Sequence, residues 1–236
     1  MRVSGAPASN PSRLVGVDEP VALLPEPPRF VSRGGEKLAA ALARFEVDPT
    51  GWRVLDAGAS TGGFTDCVLQ AGARSVVAVD VGRGQLHRRL ETDPRVESIE
   101  RTNLRHLDPL SVGAPFDLVV ADLSFISLSA VARVLVSAVG PQGRLICLVK
   151  PQFEASRAEV DAGRGVIADP AIHRRTLGEA AATMQEAGAA IIGAMKSPLK
   201  GNDGNVEFFL NLVVGEMTGP DVDDLLDRAV DERESR

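Results

Sequence analysis

Seven short apolar runs, separated by amphipathic stretches, limit the fold of this 236-residue chain more than any other feature of its sequence. The runs are Arg53–Ala57, Ser75–Asp80, Val96–Glu100, Leu118–Asp122, Leu145–Lys150, Ala190–Met195 and Val206–Val214. Strands that alternate with helices favour a mostly parallel sheet with helices on both faces. Only about ten residues separate the last two runs, too few for a helical crossover, so the last strand should be antiparallel. The sequence therefore predicts an α/β protein with a seven-stranded sheet.

The stretches between the runs have apolar residues at helical spacing. Leu38, Leu42 and Phe45 predict a helix over 35–45 whose start lies near Ser32. Four further helices are predicted, at Gly63–Gln70, Gln85–Glu91, Leu128–Val139 and Pro170–Ala187.

Composition divides the chain into three segments: 1–28, 29–215 and 216–236. The first is rich in Pro, Ser, Asn and Gly, and it cannot bury a core alone. It contains two β-like stretches, at Arg2–Val3 and at Val21–Leu24. A stiff linker follows them, at Pro25, Pro27 and Pro28. The second segment contains every run of the predicted sheet. The third is an acidic tail that we predict to be helical.

The net charge of −6 argues at first against a nucleic-acid partner. However, the tail alone carries eight acidic and three basic residues, so the other 215 residues are nearly neutral. Six arginines and four acids lie between Arg83 and Arg105, and Arg29 and Arg33 flank the start of the first helix. These arginines either face an RNA backbone or belong to a solvated face of mixed charge.

Other function classes are excluded by composition. Hydrophobic residues make up 44% and charged residues 25% of the chain, which is typical of globular proteins and not of disordered chains or coiled coils. No run reaches the roughly 18–20 apolar residues of a membrane helix, and no secretory signal is evident, so we expect a cytoplasmic location. Cys67 and Cys147 lie far apart in apolar stretches without a CxxC partner. We expect buried free thiols and no metal site.

A glycine-rich turn, Val54 to Phe64 (VLDAGASTGGF), follows the first run and leads into a helix. Gly58, Gly62 and Gly63 would let the backbone approach a ligand closely. In an open parallel sheet, the first strand–turn–helix unit is where a nucleotide-like ligand binds. The alternative is a tight turn with no ligand.

The spacing of this turn distinguishes between two classes of nucleotide. A dinucleotide site expects G-x-G-x-x-G, whereas this turn reads G-A-S-T-G-G and follows Asp56, whose carboxylate would repel a pyrophosphate. S-adenosylmethionine, which carries an ammonium and a sulfonium, suits this site better. Asp80 ends the second run, where a carboxylate can accept hydrogen bonds from ribose hydroxyls. Asn103 and Gln85 are weaker candidates that could equally be a turn former and a solvent-facing residue.

The fourth and fifth runs end in Asp122 and Lys150, which should emerge close together from adjacent strands. Such a pair could orient or deprotonate a poorly acidic hydroxyl, or it could be a structural ion pair. The sequence after the fourth run is Asp-Leu-Ser-Phe rather than Asn/Asp-Pro-Pro-aromatic, which disfavours methylation of exocyclic amines. Lys37 and Glu207 could join this site or be ordinary surface charges.

Taken together, seven blocks resemble, in order, the TlyA family of ribosomal RNA 2′-O-methyltransferases, historically called haemolysin A. They span about Phe30 to Val214 and read SRGGEKL, LDAGASTGGFTDCVLQ, AVDVGRGQL, ERTN, ADLSFISL, LVKPQFE and GNVEFF. The resemblance implies an FtsJ-like, Rossmann-like domain that uses S-adenosylmethionine and acts on cytidine ribose in ribosomal RNA or ribosomal subunits. It also implies an S4-type RNA-binding domain before the catalytic one, of which residues 1–28 resemble only the last β portion.

Site residues follow from the matching blocks. The family's catalytic Lys-Asp-Lys-Glu tetrad falls on Lys37, Asp122, Lys150 and Glu207. Its S-adenosylmethionine contacts fall on Asp56, Gly58, Ser60, Gly62, Gly63, Phe64, Asp80, Asn103 and Asp122. Three alternatives stay open at this point: methylation of a small hydroxylated metabolite, membrane damage of the kind the historical name suggests, and ribosome binding without catalysis.

Overall fold

Three two-residue strands near the amino terminus form a small antiparallel sheet: β1 (Arg2–Val3), β2 (Ala6–Pro7) and β3 (Val21–Ala22). The computed structural model describes residues 2–7, 14–22, 28–201, 203–215 and 220–232. β1 pairs with both of its neighbours, so the two predicted β-like stretches pair with each other. Leu23 and Leu24 of the second stretch, and Pro25 and Pro27 of the predicted linker, lie outside the described residues.

The large sheet has seven strands, as predicted. They are β4 (Arg53–Ala57), β5 (Ser75–Val79), β6 (Val96–Ile99), β7 (Phe116–Ala121), β8 (Val139–Val149), β9 (Ala189–Lys196) and β10 (Phe208–Val214). Their order across the sheet is β6-β5-β4-β7-β8-β10-β9. The pairs among β4 to β8 are parallel, whereas β10 is antiparallel to β8 and to β9. The prediction of one antiparallel last strand is confirmed.

Eight helices accompany the strands in the part of the chain that is described. They are α1 (Arg33–Arg44), α2 (Gly63–Gln70), α3 (Arg88–Glu91), α4 (Ala132–Ala138), α5 (Pro151–Glu154), α6 (Arg157–Ala162), α7 (Pro170–Glu186) and α8 (Val222–Asp231). The helix predicted over 35–45 is α1, and Ser32 is its N-cap residue. No helix among the described residues is long and apolar enough to cross a membrane.

Helices cover both faces of the sheet, because successive strand residues point to opposite sides and both sides are apolar. On β7, Val119 faces the layer that contains α4 and α7, whereas Val120 faces the layer that contains α1 and α2. All of these strand side chains are fully buried. Because β4 to β8 are parallel, their carboxyl ends all lie at the same edge of the sheet.

Two predicted helices are shorter than expected. The helix predicted over Gln85–Glu91 begins only at Arg88, because the His87 side chain accepts a hydrogen bond from the Arg89 amide and so caps the helix there. The helix predicted over Leu128–Val139 is divided into a 3-10 turn at Leu128–Ala130 and α4. Residue 139 itself begins β8.

The acidic carboxyl-terminal helix α8 packs against β9 and α7. Its Leu226 and Ala229 side chains are buried. Arg174 of α7 lies 2.6 Å from a carboxylate oxygen of Asp223 and also donates to Asp227. The helical prediction for this part of the tail is confirmed, and the helix adds to the core.

Candidate active site

Strand ends bring the predicted charged residues to one edge of the sheet. Asp80 follows β5, Asp122 follows β7 and Lys150 follows β8. Since β4, β5, β7 and β8 are parallel, their carboxyl ends lie side by side. The glycine-rich turn after β4 lies at the same edge, as the sequence predicts.

Two adjoining cavities open at this edge. The Lys150 cavity, of about 680 Å³, is lined by Lys37, Asp122, Lys150 and Glu207 among others. The Asp80 cavity, of about 580 Å³, is lined by Asp80, Gln85, Asn103 and neighbouring residues. Five residues line both cavities: Gly58, Ser60, Asp122, Ser124 and Phe125. A ligand in one cavity can therefore reach the other past Asp122.

Asp122 and Lys150 form an ion pair in the floor of the Lys150 cavity. The Lys150 Nζ atom lies 2.6 Å from Asp122 Oδ1, and it donates a hydrogen bond of 3.0 Å to Ser124 Oγ. The two charged side chains are only 11% and 22% exposed. This pairing of adjacent strand ends is the arrangement that the sequence predicts.

Lys37 of α1 and Glu207, directly before β10, form a second ion pair in the same cavity. Both are buried. Burial raises the pKa of the Glu207 carboxyl, and the hydrogen bond from Lys37 opposes that shift. Neither residue is an ordinary surface charge, so the four tetrad positions converge on one cavity.

Backbone amides hold the Asp80 carboxylate at the rim of the Asp80 cavity. Its Oδ2 atom accepts from the Ser60 amide at 2.8 Å, and its Oδ1 atom accepts from the Gly82 amide at 2.6 Å. Gly58 has a φ of +85°, and its amide donates to the Val79 carbonyl. The turn after β4 is thereby fastened to the end of β5.

Two glycines of the turn are held by protein packing. A Cβ atom on Gly62 would come within 2.3 Å of Leu90 Cδ1, and one on Gly63 would come within 2.2 Å of Ser32 Oγ. Gly63 also lines the Lys150 cavity, as does the buried Phe64, whose ring stacks on Phe209 at 6.2 Å. These contacts explain why small residues are needed here. At Gly62, no ligand has to be invoked to explain the glycine.

Asp56 is the one acidic candidate that lines neither cavity. Its Oδ2 atom accepts hydrogen bonds from the amide and hydroxyl of Thr65, at 2.8 and 2.6 Å. Among the described residues, its buried Oδ1 atom has no hydrogen-bond partner. Burial raises the pKa of Asp56 to about 7, against the opposing hydrogen bond from Thr65.

Asn103 lines the Asp80 cavity, but its side-chain oxygen accepts from the Arg105 amide and so caps a short 3-10 turn. Gln85 lines it too, close to Ser60. The Asp80 cavity also has apolar lining residues that the sequence does not single out, of which Val81 is 71% exposed. Their only sequence signal is position, since each lies two to five residues after a strand end; they are Val81, Leu104, Leu123 and Ile126.

Both cysteines are buried free thiols, as predicted. Burial raises the pKa of the Cys67 thiol to about 12 and raises that of Cys147 as well. Neither lines the two cavities, so the thiols take no part in the site.

Comparison with known proteins agrees with this geometry. Residues 30–213 match the family model described as FtsJ-like methyltransferase. The 16S/23S rRNA (cytidine-2'-O)-methyltransferase TlyA of Mycobacterium tuberculosis is 46% identical over 211 residues, which are 89% of this chain and 78% of that protein. Hemolysin A of Brachyspira hyodysenteriae is 37% identical over 187 residues, which are 79% of this chain and 78% of that protein.

A solved structure described as a hemolysin of Streptococcus thermophilus superposes with a TM-score of 0.82 at 39% identity, covering 87% of this chain and 74% of that one. The predicted Rossmann-like fold and the predicted family are both confirmed. The chain belongs to the FtsJ-like methyltransferase family, in the branch that contains the TlyA proteins.

Proposed function

We propose that this methyltransferase transfers the methyl group of S-adenosylmethionine to the 2′-oxygen of a ribose in ribosomal RNA, with cytidine as the target nucleotide. The observation that carries this proposal is the convergence of two ion pairs, the partly buried Asp122–Lys150 and the buried Lys37–Glu207, on one cavity. The name of the Mycobacterium tuberculosis relative, which specifies cytidine 2′-O-methylation of 16S and 23S rRNA, supports the acceptor and the base.

The Asp80 cavity suits the adenosine part of S-adenosylmethionine. Its volume of about 580 Å³ lies within the range of small-molecule sites. The Asp80 carboxylate has lone pairs left for two ribose hydroxyls, because each oxygen accepts one backbone amide. The exposed Val81 side chain and Leu104 offer apolar surface for the adenine. Gly58 and Ser60, shared by both cavities, would lie beside the methionine part.

S-adenosylmethionine, when bound, supplies a methyl group that its sulfonium already activates. The protein's own contribution is then mainly positioning, which can lower a barrier by about 7–11 kcal/mol in the best cases. As the ammonium of the ion pair, Lys150 Nζ would stabilise the developing alkoxide; to act as a base it would first release a proton to water and then accept that of the 2′-hydroxyl. Asp122 would hold that amine in place. Lys37 and Glu207 would orient the ribose from the opposite wall of the cavity.

Phe125 is suited to hold the target base. Its ring is 90% exposed at the junction of the two cavities. It lies 5.2 Å from the ring of Phe153, at a tilt of 48°. Single-stranded RNA bases commonly stack on such exposed aromatic rings. We infer that the target nucleotide is unstacked from its helix and placed over Phe125.

Exposed arginines near the Asp80 cavity support an RNA partner. Arg89 and Arg95 pair with Asp66 and Asp93. In the described part of the chain, no ion pair is recorded for the other arginines of this stretch, which are Arg83, Arg88, Arg101 and Arg105. We infer that these four contact the phosphates of ribosomal RNA or of a ribosomal subunit, and that the enzyme works in the cytoplasm, where ribosomes are.

We also infer a division of labour along the chain. Residues 29–215 form the methyltransferase domain, an assignment that the family match over 30–213 supports. Residues 1–28 belong to an S4-like RNA-binding element and its linker. The acidic segment 216–236 supplies α8, which packs on the catalytic domain.

Mass-spectrometric mapping of ribose methylation tests the proposal. Ribosomal RNA from a strain that lacks the protein should gain 2′-O-methylcytidine when the wild-type chain and S-adenosylmethionine are added. A Lys150→Ala variant should bind the cofactor but lose most activity, by about 100-fold or more, because the amine that would act on the 2′-oxygen is gone. Full activity of that variant would remove Lys150 from the mechanism.

Membrane damage is the second candidate function, because two relatives carry hemolysin names. A dye-leakage assay with liposomes, run beside the methylation assay, separates the two. Leakage that persists in Lys150→Ala would support an activity independent of methyl transfer.

A further inference from the structure

The loop that carries Phe125 must be held against Lys150, and the structure shows what holds it. This loop, residues 123–128, connects Asp122 at the end of β7 to the 3-10 turn that begins at Leu128. Phe125 itself has a φ of +62°, in the left-handed region that residues other than glycine rarely adopt. Such a conformation persists only where its surroundings enforce it.

Glu154, the last residue of α5, holds the chain two and three residues beyond Phe125. Its Oε2 atom accepts from Ser127 Oγ at 2.5 Å, and its Oε1 atom accepts from the Leu128 amide at 2.8 Å. Both bonds are partly shielded from water, and burial raises the pKa of the Glu154 carboxyl. One side chain thus fixes the far end of loop 123–128.

Three further contacts join α5 and its N-cap residue to the same loop, in register. Lys150 Nζ contacts Asp122, which directly precedes the loop, and Ser124, which lies two residues further along the chain. The Phe153 ring lies against Phe125. Glu154 then completes the series at Ser127 and Leu128. The segment from Lys150 to Glu154 therefore contacts the loop along most of its length.

We propose that Glu154 is a positioning residue, whose carboxylate holds loop 123–128 so that Ser124 and Phe125 stay beside Lys150. This inference rests on the proposed function, because the loop is argued to place the target ribose and base. Glu154 acts through hydrogen bonds to the loop, and it lines neither of the two cavities.

Two substitutions at position 154 separate hydrogen bonding from charge and size. Glu154→Gln keeps an acceptor for the Leu128 amide, and its amide group can donate to Ser127 Oγ. Glu154→Leu keeps the size of the side chain but loses both bonds. Because small misplacements of reacting groups are costly, kcat should fall about 10-fold in Glu154→Leu and stay within about two-fold of wild type in Glu154→Gln. The cofactor Kd should change by less than about three-fold in both variants.

A double-mutant cycle with Ser127→Ala tests whether Glu154 acts through the loop. Ser127→Ala alone should lower kcat, and it should cause a smaller loss when Glu154 is already Leu, because only the hydrogen bonds of Ser127 Oγ with the amide and hydroxyl of Ser129 are then left to lose. Fully additive losses would contradict the proposed route through Ser127.

Glu159→Leu is the matched control. Glu159 lies one helix further along, caps α6 through Ser156 and pairs with Arg175. Its loss should lower the unfolding temperature without lowering kcat. Equal losses of kcat in Glu159→Leu and Glu154→Leu would mean that Glu154 has only a structural role, and would overturn the proposal.

Hydrogen exchange gives a readout that needs no RNA. Amides of residues 124–128 should exchange faster in Glu154→Leu than in wild type, and at wild-type rates in Glu154→Gln, because the Leu128 amide loses its acceptor only in the former. Unchanged exchange in Glu154→Leu, or a Gln variant as impaired as the Leu variant, would overturn the proposal. Failure of the proposed function would appear separately, as a wild-type chain that methylates no ribosomal RNA.

Discussion

Asp56 is a residue whose burial has a measurable consequence for the whole domain. Its side chain lies at the end of β4, only 1% of the residue is exposed, and burial raises its pKa from 3.8 to about 7. In the folded protein the carboxyl therefore keeps its proton at a pH where the unfolded chain has released it. Folding stability should fall as the pH rises between these two values.

We expect Asp56→Asn to remove this pH dependence. Asn can still accept the Thr65 hydrogen bonds with its side-chain oxygen, and it does not ionise. Between pH 5 and 7, the unfolding free energy of the wild type should fall by about 2 kcal/mol relative to that of the variant. Urea unfolding curves at pH 5, 6, 7 and 8 would measure it.

Asp48→Asn serves as the control for that series. Hydrogen bonds from Thr50 lower the pKa of the exposed Asp48 carboxyl, so the sign of its effect is opposite. This variant should gain no stability over wild type as the pH rises. A difference between Asp56→Asn and wild type that stays flat from pH 5 to 8 would contradict the argument.

Residues at strand ends were predictable from the sequence, and residues that meet across elements were not. Asp122 and Lys150 each end an apolar run, and parallel neighbours must bring such residues together. Lys37 and Glu207 lie 170 positions apart, on a helix and beside an antiparallel strand, so only family resemblance singled them out. No spacing rule shows that Gly62 packs on Leu90.

The turn between β4 and α2 is the element on which both cavities depend. Gly58 adopts a φ of +85°, and a Cβ atom at that position would lie 2.7 Å from the backbone oxygen of Asp122. The turn and the end of β7 are thus in direct backbone contact. Any side chain at Gly58 must push them apart.

Gly58→Ala should therefore cost more than the strain of its backbone conformation. We expect a loss of about 3 kcal/mol of stability, together with a lower kcat because Asp122 is displaced. Gly51→Ala is the matched comparison, since Gly51 has a φ of +76° and open space around its Cβ position. It should lose only about 1–2 kcal/mol and keep its activity. Equal losses of stability in Gly58→Ala and Gly51→Ala would show that the close contact with Asp122 contributes nothing to the cost.

Elements with several turns or a buried run were predicted closely, and very short elements were not. β4 and α2 have the predicted bounds, and α7 differs from its prediction by one residue. By contrast, α5 and α6 have four and six residues, too few for apolar periodicity to show. The contacts of α5 with loop 123–128 could consequently not be predicted from the sequence.

At the scale of the whole molecule, five of the six net negative charges belong to the acidic carboxyl-terminal segment 216–236. The acidic helix α8 lies against β9 and α7, at the end of the sheet order opposite to β6. The exposed arginines between Arg83 and Arg105 follow β5 and β6, near the Asp80 cavity. A negative net charge is therefore compatible with an RNA-binding face, because the two charges are carried by different elements.

Salt dependence tests this arrangement. If Arg83, Arg88, Arg101 and Arg105 each contact one phosphate of single-stranded RNA, affinity should fall about 50-fold between 50 and 200 mM salt. Replacing any one of them by Gln should reduce the slope of log affinity against log salt by about 0.7. Filter binding or fluorescence anisotropy with a ribosomal RNA fragment would measure both quantities.

Arg228→Gln is the control, because Arg228 lies on α8 and pairs with Asp224, 2.6 Å away. It should leave the salt slope unchanged, since a distant paired arginine releases no counterion from the RNA. A slope that changes equally in Arg228→Gln and Arg101→Gln would show that only overall charge matters. A flat salt response in the wild-type chain would favour a small hydroxylated acceptor instead of RNA, because such a substrate has no phosphate backbone to neutralise.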